Sequence, residues 1–198
     1  MQKHTPASFQ RQTRPLLTAV LFLSLTFQGF AQDSDKTQYG IKAGINFAEL
    51  IGDDAIPESD RKEGYSIGGY MNFKLSKSLK LQPEVIWSLQ GEDSKSNGRF
   101  KLSYINIPVM LKWVEGNFYS ELGPQLGIIT ISSTESVPES LALDNFETFE
   151  LAVNAGIGYE VFEDWTIGLR YSQAVTNLIE GLDIKGSVFY VGIAYRIF

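Results

Sequence analysis

Residues 103–127, SYINIPVMLKWVEGNFYSELGPQLG, restrict the fold more than any other part of the chain. Ile105, Ile107, Val109, Leu111 and Trp113 occupy every second position, with Tyr104, Asn106, Met110 and Lys112 between them. After Gly116-Asn117 the alternation resumes, Phe118, Leu122, Pro124, Leu126 and Ile128 against Tyr119, Glu121, Gly123, Gln125 and Gly127. Period two means a strand with two unlike faces, and Gly-Asn between two such runs supplies the backbone of a tight hairpin. One face is almost wholly apolar, while the other mixes ionised side chains with glycine. A soluble sandwich rarely aims Lys, Glu and glycine at its core. A membrane barrel does so routinely, with lipid outside and a packed polar interior.

The same grammar runs through the rest of the chain. Tyr39, Ile41, Ala43, Ile45 and Phe47 alternate with Gly40, Lys42, Gly44 and Asn46. Tyr65, Ile67, Gly69, Met71, Phe73 and Leu75 oppose Ser66, Gly68, Tyr70, Asn72 and Lys74. Leu81, Pro83, Val85, Trp87 and Leu89 oppose Lys80, Gln82, Glu84, Ile86 and Ser88. Beyond the central hairpin, Phe149 to Val161, Trp165 to Tyr171 and Phe189 to Ile197 alternate in the same way, with Glu150, Glu160, Arg170 and Arg196 on the polar side. The expectation is an all-β fold: an eight-stranded antiparallel up-and-down transmembrane barrel. Strands of about ten residues suit a tilted crossing. Connections alternate long and short, the rhythm of external loops and periplasmic turns; the expected external loops are 48–64, 91–99, 132–145 and 176–186.

Aromatic residues repeat the pattern. Tyr39, Phe73, Trp113, Phe118, Trp165 and Tyr195 lie on the apolar face near the short turns, and Phe47, Tyr65, Phe149, Tyr171 and Phe189 near the long loops. Two interfacial rings are what amphipathic aromatics prefer. Pro83, Pro108 and Pro124 resist the scheme, because a closed barrel has no edge strand to hold them. A bulge or a missing ladder bond is expected there.

The first 31 residues read as a leader rather than as barrel. Lys3, Arg11 and Arg14 precede an apolar run over 16–27, and Gly29-Phe30-Ala31 offers small residues for cleavage after Ala31. Twelve apolar residues are short for a spanning anchor. The expected organisation is a signal peptide over 1–31 and a barrel domain over 32–198. Without the leader, 14 Lys and Arg stand against 23 Asp and Glu, a charge of about −9. That acidity excludes nucleic acid as a natural partner. The expected partners are outer-membrane lipid and a protein engaged through the external loops, and the expected location is the outer membrane.

Several short pieces carry a family resemblance: Tyr39-Gly-Ile-Lys-Ala-Gly-Ile-Asn, Leu81-Gln-Pro-Glu, Tyr104-Ile-Asn-Ile-Pro-Val-Met-Leu-Lys, Leu122-Gly-Pro and Val191-Gly-Ile-Ala-Tyr-Arg. Together they resemble the PorT-like outer-membrane barrel family of Bacteroidota over essentially the whole chain after the leader. The resemblance implies an eight-stranded outer-membrane barrel. The namesake takes part in protein secretion, a role that does not carry over to most relatives. One departure is Phe198, which falls one step out of phase with the apolar face.

The inward face collects Lys42, Lys74, Lys80, Glu84, Lys112, Glu121, Glu150, Glu160, Arg170 and Arg196. Such a set could form an ion path or a carboxylate-based hydrolase. An eight-stranded barrel is only wide enough for side chains to fill, and buried charges must pair, so a salt-bridged interior is expected instead. Catalysis is not expected: the sole histidine, His4, lies in the leader, and cysteine is absent throughout. A serine nucleophile would have no histidine base. No cofactor or metal site is expected. The acidic loop with Asp53, Asp54, Glu58, Asp60 and Glu63 lacks the regular spacing of a calcium loop. The rival fold, a soluble lipocalin-like barrel holding a small apolar ligand, requires both faces inverted.

Overall fold

The computed structural model describes residues 37–53, 62–90, 99–135, 148–178 and 183–198, without the side chains of 62, 90, 99–102 and 131–135. These residues form eight strands: β1 (Thr37–Ile51), β2 (Lys62–Lys74), β3 (Leu79–Gln90), β4 (Arg99–Glu115), β5 (Phe118–Glu135), β6 (Phe149–Glu160), β7 (Trp165–Ala174) and β8 (Lys185–Arg196). Each pairs antiparallel with its neighbours in sequence, and β8 returns to β1 to close the barrel.

Alternation decides which way each side chain faces. Ile67, Val85, Trp113, Leu122 and Ile157 are each 58–60 % exposed on the outside. Between them Asn46, Gln82, Glu84, Asn106, Glu121, Asn154 and Arg170 are buried. This is the reverse of the arrangement a soluble ligand-binding barrel requires. The central hairpin has the register its two-residue turn dictates: Glu115 faces Phe118 and Lys112 faces Glu121. Gly116 turns the chain at φ 60°, in the left-handed region that glycine adopts without penalty.

Two expectations need correction. The strands run further than the apolar alternation does. β1 continues to Ile51, opposite Lys185, and β4 and β5 stay paired out to Arg99 and Glu135. The backbone ladder outlasts the pattern because N–H to carbonyl pairing needs no apolar face. Phe73 stays on the apolar side, opposite Leu81, although it is only 8 % exposed. It follows a gap in the β2–β3 ladder opposite Gln82 and Pro83. Secondly, Lys74 keeps the inward side of the ladder but is exposed at the turn end of β2 rather than packed in the interior. It faces Lys80, which faces Lys112, and three ammonium groups in one interior row would repel.

The prolines are accommodated without any shift of register. Pairing lapses opposite Pro83 on the β2–β3 seam, at Pro108 on β3–β4 and at Pro124 on β4–β5, and resumes in phase beyond each. The one register shift on the central hairpin lies elsewhere, between Lys101 and Leu102.

Candidate functional site

The interior is organised by Arg170 of β7. Its Nη1 and Nη2 donate to Glu84 Oε2 and Oε1 on β3 at 2.8 and 2.7 Å, and its Nε donates to Glu121 Oε1 on β5 at 2.7 Å. Glu84 also accepts from Lys42 Nζ at 3.1 Å and from Gln82 Nε2 at 2.5 Å. Lys112 approaches Glu121 Oε2 to 3.7 Å. A carboxylate held by a forked guanidinium and two further donors has its lone pairs used, which is what a buried charge needs.

Glycine makes this contact possible. Glu121, Gly156 and Arg170 share one row across β5, β6 and β7. A Cβ at Gly156 would come within 2.9 Å of Glu121 Oε1. The bare backbone lets the two long side chains meet over it.

Two tyrosines fill the lumen beside them. Tyr119, Gly158, Gly168, Gly192 and Gly44 form a second row across five strands. The Tyr119 ring lies over Gly158, where a Cβ would come within 2.3 Å of it, and Tyr190 lies over Gly192. Lys112 Nζ sits 3.9 Å from the centroid of the Tyr119 ring, and Lys42 Nζ 5.3 Å from that of Tyr190, so both ammonium groups gain a cation–π partner.

The ten candidate residues therefore separate into groups. Lys42, Glu84, Lys112, Glu121 and Arg170 come together. Arg196 instead pairs with Asp164 at 3.1 Å and donates to the Glu163 carbonyl, tying β8 to the β6–β7 turn. Lys80 and Glu160 line the turn-side cavity, and neither makes an ion pair with a described residue. Lys74 is exposed, and Glu150 is buried near the opposite end of β6. On that side Lys185 donates to Asp183, which holds the Asp183 carboxyl below its ordinary value.

Cavities of about 40 Å³ lie on either side of the Arg170 cluster, both bordered by Lys42, Arg170 and Tyr190. Each has room for only a few waters. Among the described residues no three His, Cys, Asp or Glu side chains gather as metal ligands. Asp54, Glu58 and Asp60 of the acidic loop lie outside the described residues.

Sequence reasoning missed the parts of the interior that carry no charge. Gln82 and the two tyrosines are inward by parity, yet nothing in the sequence shows that they touch the charges. Leu178 is a further omission. It comes from the β7–β8 connection and is 3 % exposed against Tyr104 and Ile129. Its only signal is an apolar pair, Leu178-Ile179, within a polar loop.

The family model of the outer membrane protein beta-barrel domain matches residues 30–180. The chain belongs to that family. As an outer-membrane barrel it also resembles solved structures at low identity. Ail, the attachment invasion locus protein of Yersinia pestis, superposes with a TM-score of 0.52 at 14 % identity, over 82 % of this chain and 99 % of Ail. Neisserial surface protein A superposes with a TM-score of 0.52 at 12 % identity, over 79 % of this chain and 96 % of its own. Such identities carry the barrel architecture alone. No curated protein sequence matches the chain.

Proposed function

We propose that the chain is a non-enzymatic outer-membrane barrel, closed to permeation, that acts through its external loops or through a complex they nucleate. The observation that carries this reading is the Arg170 junction. One guanidinium bonds to carboxylates on β3 and β5 from β7, with cavities of only about 40 Å³ to either side. A solute would have to displace ion pairs that the lumen has no room to rearrange. The non-enzymatic part rests on chemistry: residues 32–198 contain neither His nor Cys, the usual bases and thiol nucleophiles.

The finer attributes belong to the same proposal. Residues 1–31 act as a signal peptide removed after Ala31, and the resemblance of the motifs around Tyr39, Leu81, Tyr104, Leu122 and Val191 supports membership of the PorT-like branch of Bacteroidota barrels. Partners are outer-membrane lipid and a protein bound at the loops.

The test is electrical. Purified protein in a planar bilayer should give no steady single-channel conductance, and a large stable conductance would overturn the closed reading. Replacing the β7–β8 loop with a short turn should abolish a complex isolated in mild detergent while leaving the barrel folded. Sequencing the amino terminus of protein taken from the outer membrane should begin at Gln32.

A further inference from the structure

The β7–β8 connection leaves its own side of the barrel. After Ala174 ends β7, the Val175 N–H donates to the Leu151 carbonyl at 2.8 Å, and Thr176 Oγ1 accepts from the Leu151 N–H at 3.0 Å. The chain therefore passes over β6 instead of turning straight back. Leu178 then lies 3 % exposed against Tyr104 of β4 and Ile129 of β5. These two face each other in the ladder, on the same inward side as the next facing pair, Asn106 and Gly127. Leu178 thus enters the mouth of the lumen and packs on a wall two and three strands from its own. Its N–H donates to the Ile184 carbonyl at 2.8 Å, which pinches the connection at that point. Lys185 rejoins the sheet opposite Ile51. On the return the Asp183 carbonyl lies so close to β1 that there is no space for a Cβ at Gly52.

We propose that this connection is a strap drawn across the mouth at the end with the long connections, pinned by Leu178, and that releasing the pin opens the lumen to solutes as far as the Arg170 junction. Backbone contacts fix the two ends of the strap, and one side chain fixes its middle. Val175 is 56 % exposed, and Thr176 and Asn177 are half-buried, so Leu178 is the buried apolar residue of 175–178. Burial of one leucine opposes the conformational entropy of ordering the connection. The closed position is held with little to spare, and the strap opens locally without unfolding the sheet. What it covers is polar. One row further in than Tyr104, Asn106 borders the cavity that Asn46, Ser66 and Ser172 share and that reaches Arg170. An apolar pin over a polar chamber seals it while closed and leaves a wettable space when withdrawn. The strap is separate from the junction, so access of a reagent tests the first and conductance tests the second.

The chain has no cysteine, so a single introduced thiol reports access. Asn106→Cys places one a row below the pin, and methyl methanethiosulfonate, small and uncharged, is the probe. In the folded barrel in detergent this thiol should be modified slowly, as followed by mass spectrometry. Adding Leu178→Ala should speed modification by about tenfold or more. Adding Leu178→Met, which keeps an apolar side chain of similar volume, should leave it slow. Thr166→Cys, in the turn-side cavity beyond the junction, should react at a rate that Leu178→Ala does not change. The gel shift between unheated and boiled samples confirms that each variant is folded. Fast modification with Leu178 in place, or a rate that Leu178→Ala leaves unchanged, overturns the strap. So does equal acceleration at Thr166→Cys, which would report a general loosening of the barrel.

Discussion

Arg170 and Glu84 sit 86 positions apart on β7 and β3, strands on opposite sides of the closed order, and are joined by a fork of two hydrogen bonds at 2.8 and 2.7 Å. No pairing of adjacent strands could bring them together. Replacing Arg170 with Met should cost about 3–5 kcal/mol, because Glu84 and Glu121 then remain buried with too few donors. Arg170→Lys should recover only part of this, since an ammonium cannot reproduce the fork. Urea titration in lipid vesicles, followed by the gel shift of folded barrel, measures both. A loss below about 1 kcal/mol for Arg170→Met would remove the junction from any account of stability.

Glu121 has two cationic neighbours of unequal rank. Arg170 Nε donates at 2.7 Å, whereas Lys112, directly opposite in the ladder, stays at 3.7 Å and turns towards the Tyr119 ring. In double-mutant cycles Glu121 should couple to Arg170 by about 1–3 kcal/mol and to Lys112 by about 0.5 kcal/mol. Equal couplings would mean that ladder position, rather than reach across the lumen, sets the pairing.

These two contacts mark how far the sequence could be read. Glu121 opposite Lys112 was legible, because a two-residue Gly-Asn turn fixes the facing positions and period two fixes the side. Arg170 with Glu84 was not, because contact across a lumen depends on strand tilt and stagger, which alternation does not encode. Strand identity was legible for all eight, but the ends of β1, β4 and β5 were not, since apolar patterning stops where lipid does. Leu178 escaped notice because one buried leucine in a loop carries no period.

Glycine positions offer a test of packing with an internal control. A Cβ at Gly158 would meet the Tyr119 ring within 2.3 Å, while one at Gly69 would find nothing nearer than 3.7 Å. Gly158→Ala should therefore destabilise by about 1–3 kcal/mol through overpacking, and Gly69→Ala should be close to neutral. Combining Gly158→Ala with Tyr119→Leu should cost less than the sum of the two. Strict additivity in the same unfolding assay would show that the ring does not occupy that space.

Leu178 anchors its connection through burial against Tyr104 and Ile129 and a backbone bond from its N–H to the Ile184 carbonyl, 2.8 Å. Leu178→Ala should cost about 2 kcal/mol, the low end for a buried leucine because the cluster is small. It should also speed proteolytic nicking of the β7–β8 connection relative to the wild type. Unchanged nicking would show that Leu178 does not hold the loop.

The central charges have a consequence for the order in which the barrel assembles. Lys42, Glu84, Lys112, Glu121 and Arg170 are supplied by β1, β3, β4, β5 and β7, so no single hairpin contains the set. A chain with one hairpin still outside the sheet holds unmatched charges where hydrocarbon tolerates none. Their mutual attraction arrives only after the long separations have been closed. The core thus behaves as a late latch: it rewards nothing short of a complete cylinder, and it leaves the half-built one without a resting place.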